Sequence, residues 1–305
     1  MAVSVDQLTA LTHRYIQPKL HDNIFDTNPL LNKILKSGQY KSLSGGTTID
    51  LPLNYAQGAG GWFAGADSLL TNDVENISVA RYNWASVYSP IAISEEDILK
   101  NGGDAGVIKL LAAKSQIAEK TIKDLVGTGL YSDGTNTKSI VGLRDLVAVD
   151  QTVGGISQST NSWWQAQVDS TTTTLTISAV NTLYELASID SKPNLIVSSR
   201  ALYNSFYNLL QPQQRFYDDT TAKAGFQNLM LNGAVWMSDS HCPAYHAFGL
   251  TLEDIHLFYH PEMNFSTDPF QSPINQRVRT SRVTWMGCLA SSNNRKHFKL
   301  SAITA

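Results

Sequence analysis

Apolar positions recur along this chain at two periods, and the switch between them divides it into segments. Between residues 104 and 126, Val107, Ile108, Leu111, Ile117, Ala118, Ile122 and Leu125 repeat at i, i+3 and i+4, while Lys109, Glu119, Lys120, Lys123 and Asp124 occupy other positions. That is the stripe of an amphipathic helix. Asp104 is its N-cap candidate, and Gly127 and Gly129 are its stop. At 1.5 Å per residue the helix would run roughly 35 Å, a length suited to a structural spine. Just ahead of it, Ser94 followed by Glu95, Glu96 and Asp97 predicts a short helix start, with carboxylates at its positive end. Asn101, Gly102 and Gly103 break that piece.

Upstream the period falls to two. Residues 45–93 predict one long β-hairpin. Gly45 and Gly46 open it, 47–53 run outward, and 57–73 form a tip containing Gly58, Gly60, Gly61, Trp62 and Phe63. Residues 77–93 return. On that strand Ile77, Val79, Ala85 and Val87 share one parity and Ala80, Tyr82, Trp84 and Tyr88 the other, with Arg81 and Asn83 as polar exceptions. Both faces carry apolar groups, so the ribbon is expected to have no clean solvent face. A two-stranded ribbon is marginal alone in water, so it must lie on something: its own core or another copy.

Before the hairpin, residues 1–44 read as a leading arm. It has helical character over 6–16, an interruption at Pro18, and a short amphipathic turn carrying Leu30, Leu31, Ile34 and Leu35. A solvated linker with a hydrophobic foot and an arm reaching across a neighbouring subunit both fit. After the long helix the texture is mixed. A helix over 176–189 presents Val180, Leu183, Leu186 and Ala187 on one face, and a buried strand at 193–199 feeds a helix at 200–210. Strands follow at 234–239 and 255–259. A long closing strand at 277–289 leads to a hairpin at Asn293 and Asn294 that returns to Ile303. No repeat of solenoid length is present.

Composition narrows the class. The 305 residues are 42% apolar, ample for a core, and only 16% charged, against about 25% in an average soluble domain. Such a chain is not intrinsically disordered, and it has little charge with which to stay soluble as a monomer. The net charge of −3 does not support a dedicated DNA-binding module. No run of 18 apolar residues occurs, so no membrane span is expected. Residues 1–7 lack a basic and an apolar region, so no secretory leader is expected. Cys242 and Cys288 are too few for a disulfide framework and read as buried thiols.

Candidate chemistry is sparse. The glycines at 58, 60 and 61 lack the Lys-Ser/Thr of a phosphate loop, and no Gly-x-Ser-x-Gly elbow exists. Glu95, Glu96 and Asp97 are explained by the helix macrodipole. His241, Cys242 and His246 form the best metal candidate, because thiolate and imidazole suit zinc. They lack a fourth ligand, and Pro243 favours a structural turn. Charge is segregated instead. Arg277, Arg279, Arg282, Arg295, Lys296 and Lys299 face the single acid Asp268, whereas Asp50, Asp67, Asp73 and Glu75 of the hairpin face only Arg81. Complementary contacts between copies would follow from this separation.

The order of arm, long hairpin, long helix, mixed core and basic closing strand resembles the major capsid proteins of tailed bacteriophages with the HK97-type fold. The stretches that carry the likeness begin with Asn32-Lys33-Ile34-Leu35-Lys36 and Ile93-Ser94-Glu95-Glu96-Asp97. Ala118-Glu119-Lys120-Thr121, Gly129-Leu130-Tyr131 and Gly142-Leu143 follow, and then Val283-Thr284-Trp285-Met286-Gly287-Cys288-Leu289. The resemblance implies a mixed α+β fold. Its parts would be an N-arm (1–44), an extended E-loop hairpin (45–93), a P domain with the spine helix (94–180), an A domain (181–267) and the closing strands of the P domain (268–305).

In that family the E-loop lies over a neighbouring subunit. The resemblance therefore implies a non-enzymatic subunit, without cofactor, that builds hexamers and pentamers of an icosahedral shell around double-stranded DNA. It would be located in the virion capsid and assembled in the host bacterial cytoplasm, with no membrane involved. The DNA would be met by non-specific contact. A separate scaffolding protein, a portal and a decoration protein are its implied partners. Trp62, Phe63, Tyr82 and Trp84 are the candidates for hairpin packing. Arg277, Arg279 and Arg282 are the candidates for salt bridges between subunits or for the closing strand's own contacts, and Arg81 is a further candidate assembly contact.

Some members weld the shell through an E-loop lysine, but no lysine occurs between Lys41 and Lys100, so that chemistry is not expected. No coiled-coil-like prefix is present, and no large N-terminal cleavage is expected. The rival readings are an encapsulin-like compartment shell, a cytosolic α/β enzyme using the His241 region, and a β-rich binding module.

Overall fold

The closing stretch 277–289 becomes the longest strand, and the strand expected at 255–259 runs on to Thr267. In the computed structural model, which describes residues 28–69, 74–96, 104–214 and 229–303, β12 (Ile255–Thr267) and β13 (Val278–Ser291) run antiparallel. β4 (Ala85–Ser94) pairs antiparallel with the other edge of β13, and the short β1 (Tyr40–Ser42) lies parallel to β12, giving the order β1-β12-β13-β4. The long helix α2 (Asp104–Gly129) packs across β4 and β13. Its 26 residues span about 39 Å. Ahead of it, α1 (Pro29–Lys36) buries Leu30, Leu31 and Ile34 and leaves Leu35 exposed.

A second sheet has six strands in the order β7-β14-β11-β8-β10-β9. These are β7 (Gln167–Asp169), β8 (Leu195–Ser198), β9 (Leu229–Leu231), β10 (Ala234–Ser238), β11 (Ala247–Leu250) and β14 (Phe298–Leu300). Both faces of this sheet are covered, so β8 is buried throughout. Leu195 and Val197 join the core shared with α1, α2 and the first sheet. Ile196 joins a second core under α4 (Ile177–Ala187) and α5 (Arg200–Gln214). Thr176 caps α4, its hydroxyl accepting from the Ala179 amide at 3.1 Å.

Several expectations change. The return strand of the hairpin does not run unbroken over 77–93. It splits at Trp84, so that only β3 (Ile77–Asn83) pairs with β2 (Thr48–Asn54), while β4 crosses to β13. Widening a sheet pairs backbone that a long two-stranded ribbon would leave to water. Both faces of the ribbon carry apolar groups, as expected: Ile49, Leu53, Ala80 and Tyr82 are buried on the inner face, and Ile77 and Val79 stand exposed on the outer one. The chain after Asn293 does not return against β13, because β14 inserts between β11 and β7. On α4, Tyr184 rather than Leu186 completes the buried stripe, because Leu186 lies 120° from Val180 around the helix and outside the i, i+3, i+4, i+7 set. On α2, Ile117 and Leu125 are exposed, each 100° round from its buried neighbour Ala118 or Val126. The arm at 6–16 with Pro18, the residues Asp73 and Asp97, the break at 101–103 and the side chains of Val107, Ile108 and Leu111 lie outside the described residues.

Candidate functional site

The ribbon is held at one end and free at the other. At its base Tyr82 is 1% exposed, and its hydroxyl donates to the Ser291 carbonyl at 2.9 Å. Burial pushes its phenol far above the ordinary value. Its ring is therefore used inside its own chain. Trp84 is half-buried, donates from Nε1 to the Gly46 carbonyl at 3.0 Å, and meets His260 edge-on at 6.0 Å. The Arg81 amide donates to the Gly154 carbonyl at 2.8 Å. Gly154 sits at φ +62°, and a Cβ there would fall 2.7 Å from that of Ala80, so only glycine lets this loop approach the ribbon. The Arg81 side chain faces Asp50 across the ribbon at 3.6 Å, a solvated pair of little energetic weight.

Beyond Asn54 the support ends. Tyr55 stacks on Trp163 at 5.1 Å. Past it Trp62, Phe63, Leu69 and Val74 are all exposed, and Trp62 is as open as a free side chain. The tip keeps a small turn of its own, in which the Ala64 amide donates to Asp67 at 2.9 Å.

The basic closing strand divides by face. Arg282 pairs with Asp268 on the outer side of β13. Arg277 and Arg279 share the opposite parity, are exposed, and make no ion pair among the described residues. Lys296 lies between Asp254 at 3.5 Å and Asp190 at 3.6 Å, and Lys299 donates to the Arg144 carbonyl at 3.1 Å, so these two cations serve the interior of the chain.

His241, Cys242 and His246 do not converge. The Cys242 thiol points at the His246 carbonyl at 3.5 Å, and burial pushes it far up. The His246 ring turns to the Ala244 carbonyl at 2.8 Å. His241 instead bridges two carboxylates, Nε2 to Asp124 at 2.7 Å and Nδ1 to the buried Asp239 at 3.2 Å. Asp239 also accepts from the Leu30 amide at 3.3 Å and the Tyr131 hydroxyl at 3.1 Å. This hub ties α1, the end of α2 and the turn after β10 together. Next to it Asn28 donates to the Lys123 carbonyl at 2.7 Å and lies so close that a Cβ on Gly127 would fall 2.6 Å from its amide. Among the described residues no group of three or more His, Cys, Asp or Glu is arranged to hold a metal ion.

Two concavities flank β4. A broad trough of about 890 Å³ crosses the outer face of the sheet past Tyr88, Met263 and Arg282. A tighter groove of about 360 Å³ lies between the start of β4, the end of α2 and the loop at 132–140. Val87, Leu125, Ile140 and Trp285 line it, with Lys138 also on its wall. Sequence reading missed this groove, because its walls come from three regions distant in sequence, 85–87, 125–140 and Trp285. The exposed Leu125, counted as part of a buried stripe, was the available signal.

No protein family model matches the chain, and no curated protein matches it in sequence. Solved structures do. The capsid asymmetric unit of cyanophage A-1(L) superposes with a TM-score of 0.76 at 16% identity, covering 99% of this chain and 100% of that one. The capsid of a native GTA particle gives 0.69 at 12% identity over 99% of both chains. The holo-SrpI encapsulin complex from Synechococcus elongatus PCC 7942 gives 0.65 at 10% identity over 99% of this chain and 96% of that one. The chain has the mixed helix-and-sheet fold of phage capsid proteins.

Proposed function

We propose that this chain is the major capsid subunit of a tailed bacteriophage. It assembles into hexamers and pentamers of an icosahedral head around double-stranded DNA. The observation that carries this reading is the likeness to phage capsid chains over 99% of the sequence. The exposed aromatic tip is in keeping with it, since a chain with 16% charged residues that leaves Trp62 and Phe63 open is better served by association than by solvation. In this reading residues 1–44 are the N-arm, 45–93 the E-loop, 94–180 and 268–305 the P domain, and 181–267 the A domain. The subunit is not an enzyme and works by multivalent contact, each weak link gaining from the others that close with it. Arg277 and Arg279, whose side chains make no ion pair among the described residues, are its candidates for salt bridges between subunits. Arg282 is already paired with Asp268. Scaffolding, portal and decoration proteins are its proposed partners, and the host cytoplasm its place of assembly. Among the described residues no helix is long and apolar enough to cross a membrane.

The encapsulin match supports a second reading, a compartment shell that packages protein cargo. Electron microscopy of particles from an expressing host, with nucleic-acid and protein analysis of their contents, tests both. Shells in the context of infection that carry double-stranded DNA support the capsid. Shells that carry a co-purifying protein and no genome favour the compartment.

A further inference from the structure

We propose that His241 is a proton-operated clasp. While its ring carries protons on both nitrogens, it holds α1 against the end of α2 and the turn after β10, and loss of one proton releases α1. The clasp is independent of the shell reading. The ring lies between two carboxylates, with Nε2 at 2.7 Å from Asp124 Oδ1 and Nδ1 at 3.2 Å from Asp239 Oδ1, and its side chain is only 10% exposed. An ionised carboxylate only accepts, so each contact needs an N–H on its own nitrogen. A neutral imidazole has one N–H and would turn a bare lone pair on one of the two acids. The bridge is therefore that of an imidazolium.

Release falls on α1 because the start of that helix hangs on the same carboxylate. Asp239 is 2% exposed, and beside the ring it accepts from the His241 amide at 2.9 Å, the Leu30 amide at 3.3 Å and the Tyr131 hydroxyl at 3.1 Å. The Leu30 amide belongs to the open first turn of α1, whose N-cap residue Asn28 makes no side-chain cap bond and donates to the Lys123 carbonyl instead. A buried charge that loses its partner is strongly destabilising, and His241 is the cation in contact with Asp239. The other titratable and charged groups around the ring do not take its place. Burial pushes the Tyr131 phenol and the Cys242 thiol far up, so both keep their protons. On α2, Lys120 stands one turn before Asp124, and Lys123 lies over the Phe265 ring at 5.6 Å. Lys33 of α1 makes no ion pair among the described residues.

The test is hydrogen exchange of the full chain at pH 6 and pH 9, read by mass spectrometry and expressed as protection relative to the intrinsic rates. The peptide covering Pro29–Lys36 should lose protection by about ten- to a hundredfold at pH 9, the range of a hydrogen bond to a charged group, while β8 keeps its own. His297 cannot produce that loss, because burial holds it at about 4 and its titration weakens the fold toward low pH, not high. Asp124→Asn separates the clasp from a general loss of stability. The substituted amide can donate to Nε2 of a neutral ring whose Nδ1 still donates to Asp239, so α1 should stay protected at both pH values. Equal protection of α1 at pH 6 and pH 9, a loss shared by β8, or a loss that persists in Asp124→Asn would each overturn the clasp.

Discussion

The two ends of the β2–β3 ribbon both carry large aromatic side chains, and these meet opposite fates. Tyr82 and Ala80 at the base alternate with polar residues much as Trp62 and Phe63 at the tip sit among glycines and an acid. Yet the base is sealed into the core through Ser291, Gly46 and Gly154, and the tip touches little beyond its own turn. Residue type alone does not separate a core aromatic from an interface aromatic. What separates them is whether the rest of the chain supplies a surface. β13 and the 154 loop reach the base, and no described element reaches the tip.

That contrast can be broken from its strong side first. Tyr82→Ala should cost about 3–5 kcal/mol of folding stability, as large-to-small aromatic changes in cores do, measured by urea denaturation of the unassembled chain. A loss below about 1 kcal/mol would mean the base is not part of the core.

Acid attacks the same end. His297 is fully buried, and burial holds it from the usual 6.5 down to about 4. Its Nδ1 accepts the Thr251 amide at 3.2 Å, and its Nε2 meets Ser291 Oγ at 3.3 Å, in the residue whose carbonyl takes the Tyr82 proton. The folded state keeps this ring neutral, whereas the unfolded chain takes up a proton once the pH falls below 6.5. Its stability is therefore complete above 6.5 and falls as the pH drops toward 4, by about 3 kcal/mol in all. His297→Gln should flatten that limb of the pH–stability curve, and an unchanged limb would remove His297 as its source.

A gentler probe is Tyr82→Phe, which keeps the ring and strands the Ser291 carbonyl. It should cost about 1–2 kcal/mol in the same denaturation experiment. The smallest expected effect on folding belongs to Trp62→Ala, within about 0.5 kcal/mol, since the side chain leaves only water. The same substitution should raise the concentration needed for assembly by at least about tenfold, as loss of an interface anchor does. If Trp62→Ala destabilised the free chain as Tyr82→Ala does, the two ends would not differ.

Sequence legibility follows the same division. Features set by local pattern were readable: the long helix ending at Gly129, the buried β8, the Thr176-led α4 and the closing strand. Features set by distant partners were not. Nothing local at Trp84 says that the strand changes partners there, because the reason is β13, almost two hundred residues away. The same holds for β14, which leaves its apparent hairpin for β11, and for His241, whose partners Asp124 and Asp239 come from a helix and a turn. The metal candidate looked plausible only while His241, Cys242 and His246 were neighbours in sequence. In the fold each turns to a different acceptor. Both aromatic pairs of the ribbon were singled out by type, and the structure then sorted them by what lies opposite.

The central claim is that this chain is made to associate with itself. Negative-stain electron microscopy of the purified chain, taken across a concentration series beside sedimentation velocity, tests that most directly. The account expects rings of five or six subunits, tubes or closed shells that grow with concentration. A chain that stays a monodisperse monomer across the whole series would contradict it.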